Sequence, residues 1–390
     1  MNMDAAVEHR QRLLTGALVT AMTLSMLPLF LLGTLGSRVI EDLGVDAALL
    51  GVLVAAGFAV AAAVSLPAGP MVDAVGARRC LIVLFVVSAV ALGVFAVAPS
   101  YPVLLAGITV SGLAQALANP VTNRLIATRV AAERRGPVMG WKQSGVQFGA
   151  FVAGVPAAVV AAATNWRCAV AVGAAVSVLG AAAGFLLARD PNPAHRPSTL
   201  FVRPGRRAAR LGVFSVLLGC GLSAINTYLA MYGNTELGMA DGMAAGSIAV
   251  LGVAGIVGRV WWTRRSAALG DPALLLGPLA VGSAAAAGLI AGAEWVGSWV
   301  VWVGVVGIGG CAVAANAVSM MAVITGGGPE QVGRDSAAVS AGFFSGFVIG
   351  PPVFGAAVHA GSYGVGWSIV AGEFVTAAVV AWWQWQRATR

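Results

Sequence analysis

The sequence is short of charge. Asp, Glu, Lys and Arg together make up 10% of its 390 residues, where a soluble domain carries about 25%. Hydrophobic residues make up 59%. A chain of this length cannot hide that much apolar surface in one soluble core, which leaves the bilayer as its solvent. Lysine is nearly missing: of 23 basic residues one is lysine, Lys142, and the rest are arginine. Histidine is scarce too. His9, His195 and His359 lie far apart, which argues against the clustered His, Asp and Glu of a membrane-embedded enzyme. The four cysteines, Cys80, Cys168, Cys220 and Cys311, have no metal-ligand spacing and imply no disulfide, so they read as small buried hydrophobes. There is no GxxxxGK[ST] loop, hence no sign of ATP hydrolysis. No metal or cofactor is implied, and no appended soluble domain suggests a receptor or sensor.

Long apolar runs are what the chain has. Twelve stretches are long enough to span a bilayer, at roughly 13–36, 47–68, 80–98, 101–126, 137–163, 168–188, 211–232, 242–262, 273–293, 296–324, 336–360 and 364–384. The runs are continuous rather than alternating, so they predict helices and not a barrel. The first run is too long for a cleavable signal and lacks a small-residue cleavage site before the second, so it reads as a membrane helix. The fold class expected is therefore all-α and integral to the membrane. With the N-terminus placed inside, eighteen arginines fall in inner segments and two, Arg38 and Arg167, in outer ones, while the carboxylates divide eight to six. That asymmetry is the positive-inside signature. It predicts cytoplasmic N- and C-termini, and it explains the net charge of +8 without nucleic acid.

One long hydrophilic connection, "ARDPNPAHRPSTLFVRPGRRAAR" at 188–210, divides six spans from six. The expected organisation is an N-terminal bundle over 1–188, a basic cytoplasmic linker over 189–210 and a C-terminal bundle over 211–390. The halves resemble each other. An offset of 197 residues pairs Asn119 with Asn316, Val121 with Val318, Thr122 with Ser319, Gly136 with Gly333, Gly145 with Gly342 and Gly149 with Gly346. A single offset kept across two spans points to a duplicated unit, and parallel six-helix repeats are known from one large transporter architecture.

Between the second and third runs stands "GPMVDAVGARR", residues 69–79. Its Gly69, Asp73, Gly76, Arg78 and Arg79 resemble the loop signature of the major facilitator superfamily. A second run, "NPVTNRLIATRVAAERRGPVMGWKQSGVQFGAFVAG", looks like one common in bacterial twelve-helix members. The resemblance implies two pseudo-symmetric six-helix bundles, a gating role for the loop residues, and a central cavity lined by the first, fourth, seventh and tenth helices. Asp73 with Arg78 and Arg79 would form a charge cluster that latches the cytoplasmic side; an ordinary hydrophilic turn is the alternative. The sequence also departs from the family's drug–proton antiporters. Ile108 stands where they carry an arginine before Gly112. Ala150 follows Gly149 where they carry proline, and Gly350-Pro351 sits in the eleventh run instead.

Polar residues inside a bilayer are costly unless they face one another, water or a ligand. Gln115, Asn119 and Asn123 recur every four residues on the fourth helix, and Gln143 and Gln147 do so on the fifth. Ser223, Asn226 and Thr227 form a patch on the seventh, and Asn316 with Ser319 forms one on the tenth. Such groups also serve as interhelical glue at about 0.6 kcal/mol each; as a set they predict a solute-binding cavity. Lys142 lies about 9 Å inside the start of the fifth helix. It either snorkels back to the interface as an anchor or helps draw an anionic solute, with Arg124 adding charge to the same vestibule. Glu373 is the one carboxylate deep in a span; it suits a proton carrier, or a local hydrogen-bonded role on a helix that is peripheral in the resembled family. The substrate-binding set expected is Gln115, Asn119, Asn123, Lys142, Gln143, Gln147, Asn226 and Asn316. The function expected is secondary transport of a small polar or anionic solute across the cell membrane by alternating access, as a monomer, with a coupling proton or ion. Drug or metabolite efflux by proton antiport is the alternative.

Overall fold

The structure, a computed structural model, describes residues 3–45, 48–185, 203–328, 330–360 and 362–386. Among these residues every regular element is helical. Twelve helical spans are long and apolar enough to cross a membrane: Gln11–Gly36, Leu49–Val75, Ala77–Val97, Tyr101–Arg129, Ala132–Ala163, Trp166–Gly184, Arg206–Thr235, Gly246–Ala267, Pro272–Ala291, Trp299–Gly326, Val332–Ala360 and Tyr363–Trp383. Their number and order match the apolar runs. Of the connection expected at 189–210, residues 189–202 lie outside the described residues, and Arg206–Arg210 open the helix Arg206–Thr235.

Local chemistry sets several boundaries. Extended Ser100 precedes the fourth span, and Pro102 sits in its first turn, where no donor is lost. Asn165 caps the sixth span by accepting from the Cys168 N–H at 2.9 Å. The stretch 69–79 differs from its expectation as a loop. The second helix continues through Pro67 and Pro70 to Val75, and the third begins at Ala77. Gly76 alone makes the turn, at φ 98°, a backbone angle that favours glycine. The fifth and tenth spans each contain a π-helical turn, Ala153–Ala157 and Gly309–Val313.

The chain forms two compact units. The first comprises Met1–Ala132, Trp141–Pro204 and Gly327–Ala341. In it the fourth span packs against the first, second and third, and the third against the sixth. The second comprises Glu133–Gly140, Gly205–Gly326 and Gly342–Arg390. Here the ninth span packs against the tenth and twelfth, the twelfth against the seventh, and the eighth against the tenth.

Small residues make the closest contacts, as helix packing in lipid requires. A Cβ on Gly145 would stand 2.5 Å from Val19 O, and one on Gly149 would stand 3.1 Å from Thr23 O, both on the first span. Their counterparts at the 197-residue offset behave alike in the second unit. Gly342 abuts the Gly212 carbonyl, and a Cβ on Gly346 would stand 2.6 Å from Cys220 N, both on the seventh span. Fifth on first and eleventh on seventh is the same packing made twice.

Candidate functional site

Lys142 is fully enclosed, at 0% exposure. It does not snorkel to an interface. Its Nζ donates to Asn119 Oδ1 at 2.6 Å and to Asn123 Oδ1 at 3.0 Å. The two asparagines are one helical turn apart, so one ammonium bridges both. Each amide then passes the connection on. Asn119 Nδ2 donates to Ser340 Oγ at 3.0 Å, and Asn123 Nδ2 donates to Ser336 Oγ at 2.9 Å. The serines are also one turn apart, near the start of the eleventh span. The result is a two-rung ladder from fifth span to fourth to eleventh, all within the first unit. A buried charge is tolerated only when hydrogen-bonded, and here two amide oxygens turn toward it. Gln143, 2% exposed, adds a 3.5 Å contact from its Nε2 to Asn119 Oδ1.

Adding 197 to the ladder positions gives Val339 for Lys142 (142 + 197), Met320 for Asn123 (123 + 197) and Asn316 for Asn119 (119 + 197). The second half therefore keeps one asparagine and has neither the ammonium nor the second amide. A device needed only to pack the repeat would be duplicated with it.

A second constellation lies near the same end of the first unit. Asp73 pairs with Arg124 at 2.8 Å. It also accepts from the backbone N–H groups of Gly333 at 3.1 Å and Arg334 at 2.9 Å. These are orphan donors of the first turn of the eleventh span, where a carboxylate also meets the positive end of the helix dipole. The close approach depends on glycine: a Cβ on Gly69 would stand 2.6 Å from Arg334 Cα and 2.6 Å from Ala337 Cβ. The expected cluster of Asp73 with Arg78 and Arg79 is corrected. Arg78 instead donates to Gly184 O at 3.3 Å and Phe185 O at 2.8 Å, at the end of the sixth span, and Arg79 points outward, exposed. Both begin the third helix beyond Gly76, so their side chains leave on a different axis from Asp73.

The remaining expected residues divide between the units. Gln115 lies one turn from Asn119 at 0% exposure, and neither amide atom has a hydrogen-bond partner among the described residues. Gln147 is half-buried in the first unit. Asn226 is exposed and Asn316 is 7% exposed, both in the second unit. The hydroxyls beside them are used by the backbone: Ser223 Oγ donates to Cys220 O at 2.9 Å, Thr227 Oγ1 to Ser223 O at 2.8 Å and Ser319 Oγ to Asn316 O at 2.7 Å. Glu373 is half-buried, with Oε2 enclosed and unpartnered among the described residues. Arg259, 5% exposed, donates through Nε to Val313 O at 3.2 Å, the last carbonyl of the tenth-span π turn. The sequence reading missed Ser336 and Ser340. Their four-residue spacing, equal to that of Asn119 and Asn123, is the signal that pairs them.

What the ladder can do follows from its chemistry. Two neutral amide oxygens, Asn119 Oδ1 and Asn123 Oδ1, accept from the ammonium and bring no charge of their own to it. A compact ammonium on a flexible stem can also change partners more readily than a planar guanidinium.

The family model described as Major Facilitator Superfamily matches residues 13–325. No curated protein matches the chain. Among solved structures, the human organic anion transporter MFSD10 (TETRAN) is similar at TM-score 0.76 and 16% identity, over 95% of this chain and 99% of that one. The proton:xylose symporter XylE, bound to 6-bromo-6-deoxy-D-glucose, matches at TM-score 0.77 and 14% identity, over 95% and 94%. The fucose:proton symporter FucP of E. coli matches at TM-score 0.74 and 15% identity, over 96% and 98%. At these identities the likenesses show the fold.

Proposed function

The chain belongs to the major facilitator superfamily, a family of multi-pass membrane transport proteins rather than enzymes, and we propose that it is a secondary transporter of a small anionic solute. The observation that carries this reading is the enclosed Lys142 ammonium, held by Asn119 and Asn123 and absent from the second half of the chain. In the proposed cycle, the ladder to Ser336 and Ser340 and the Asp73 contacts to Gly333 and Arg334 form the closed state of a cytoplasmic gate. Opening the gate breaks both sets of bonds. The solute's anionic group then takes over part of the coordination of Lys142, with Gln115, Gln143 and Gln147 as further hydrogen-bonding groups. Asn226 and Asn316 are the solute-binding groups proposed for the second unit taken by itself. The arginine asymmetry supports cytoplasmic termini in a cell membrane. The organic anion transported by MFSD10 agrees in sign with Lys142, and the proton symport of XylE and FucP supports a coupling proton.

A thermal-unfolding screen of the purified protein against organic anions, sugars, amino acids and cationic drugs tests the substrate class. A ligand at 100 times its dissociation constant stabilises by about 2.7 kcal/mol. An anion should give the largest shift, and that anion should then be carried into proteoliposomes. A cationic drug giving the largest shift, with no response to anions, would overturn the reading in favour of efflux.

A further inference from the structure

The end of the eighth span carries features that the transport reading does not use. Trp261 is 53% exposed, in a helix otherwise apolar enough to span the bilayer. Trp262 meets it edge-on, with ring centroids 4.5 Å apart. One turn on, Arg264 and Arg265 occupy the last turn of the helix, both exposed. The Arg265 guanidinium carbon lies 5.8 Å from the Trp261 ring centroid. Other arginines of the chain take carboxylate partners: Arg124 with Asp73, Arg167 with Asp42, Arg207 with Asp271 and Arg334 with Asp335. Arg264 and Arg265 form no ion pair among the described residues. Asp271, four residues beyond the helix, is already held by both terminal nitrogens of Arg207.

A second dibasic pair stands alongside. Residues 133–140, at the start of the fifth span, belong to the same unit. A Cβ on Gly136 would stand 2.6 Å from Thr263 O and 2.7 Å from Ala267 Cβ, and one on Gly140 would stand 2.8 Å from Val260 Cα. This backbone contact brings Arg134 and Arg135 beside Arg264 and Arg265, with Glu133 as the one carboxylate on the segment. Arg264 and Arg265 lie one turn from an exposed tryptophan, and Arg134 and Arg135 stand on the helix end that touches the face carrying Thr263 and Ala267.

We propose that this junction is a docking site for an anionic phospholipid. Arg264 and Arg265 hold the headgroup phosphate, and Trp261 lies against the glycerol and upper acyl chain. Guanidinium forks match phosphate oxygens. Tryptophan prefers the depth at which a headgroup joins its chains. That depth favours a lipid over a free anion, because a soluble phosphate gains nothing from Trp261. Basic residues at a membrane surface each add substantially to anionic-lipid affinity.

The test uses the full-length protein in neutral detergent, with phosphatidylglycerol, phosphatidylcholine or inorganic phosphate added. Native mass spectrometry reads bound lipid, and thermal unfolding reads its effect. Phosphatidylglycerol should bind and raise the unfolding midpoint, and phosphatidylcholine should not. The double variant Arg264→Gln/Arg265→Gln should bind phosphatidylglycerol about tenfold or more weakly while keeping its midpoint in phosphatidylcholine. Arg203→Gln/Arg206→Gln, which removes the same charge around the start of the seventh span, should bind like the parent. An unchanged response in the first variant, an equal loss in the second, or an equal shift with inorganic phosphate would each overturn the proposal. The last outcome would mark a free-anion site and the second a diffuse charge effect.

Discussion

Lys142 Nζ stands 2.6 Å from Asn119 Oδ1, and Lys142 is fully enclosed. The position is closed on every side, so a larger cation there must displace its neighbours. Overpacking an enclosed site costs about 1–3 kcal/mol. Lys142→Arg should therefore lower flux by about tenfold at unchanged surface expression. Lys142→Gln, which removes the charge, should lower it further. Proteoliposome uptake measured beside surface labelling checks both. Wild-type flux in Lys142→Arg would retire the anion role of this residue.

Asp73→Asn keeps one oxygen for the Gly333 or Arg334 N–H and loses the charge opposite Arg124. Folding and insertion should survive. Transport should slow several-fold, with substrate affinity changing less than rate, because the proposed cycle puts the contact in the gate and not in the binding set. A well-expressed Asp73→Asn protein with parental turnover would rule out the latch.

Gly69→Ala places a methyl group 2.6 Å from Arg334 Cα and Ala337 Cβ, where backbone must shift. The variant should be destabilised by about 1–3 kcal/mol and should label more readily at a cysteine introduced at Ser340. Gly93→Ala is the internal control. Nothing lies within 4 Å of a Cβ there, so the exchange should be neutral or stabilising by up to about 1 kcal/mol through helix propensity. Equal loss in both variants would mean that the Gly69 contact has no special closeness.

At the other end of the first unit, Arg167 donates to Asp42 and to Ala98 O, at 2.9 Å in the latter case, and lies 4.2 Å from the Trp166 ring centroid. The hydrogen bond from Arg167 holds the Asp42 carboxyl below its ordinary value. A depressed folded-state value means that the stabilisation is complete above the unfolded value, about 3.9, and disappears as pH falls through the folded one. Acid unfolding of Asp42→Asn should accordingly be flatter than that of the parent below about pH 4, by a small amount because the pair is exposed. Identical acid profiles would show the pair to be energetically silent.

The membrane made most of the fold legible. A spanning helix needs a continuous apolar run, so the twelve spans could be read from composition before any contact was known. The helix continuing through Pro67 and Pro70 could not, because proline and glycine read as breakers until neighbouring helices supply the packing. The candidate site was half legible. Asn119, Asn123 and Lys142 are conspicuous in an apolar run, and their spacing puts the amides on one face. Ser336 and Ser340 are not, since serine in "DSAAVS" looks like any small residue that lets helices approach. For Asp73 the sequence offered Arg78 and Arg79 as neighbours. The actual partner, Arg124, is 51 residues away and becomes adjacent only when the second span packs against the fourth. For Lys142 the sequence left two directions open, back to the interface or inward, because the amide oxygens of Asn119 and Asn123 that it meets belong to another helix.

The π turns at Ala153–Ala157 and Gly309–Val313 also have a bearing on how this chain can change by insertion and deletion. Each such turn holds one residue more than the regular helix needs. Losing a residue within Gly309–Val313 would let the tenth span close into an unbroken α-helix, a change its backbone could absorb. The wider turn has already absorbed that residue, so the faces before and after it would keep their present relation. Asn316 would keep the face it now occupies, while the carbonyl that Arg259 binds at Val313 would be drawn back into the helix ladder. A one-residue deletion here would thus preserve both the spanning helix and the direction of its polar side chain, at the loss of the Arg259 contact. The mid-span turns are places where length and orientation are separable in the inheritance of this fold.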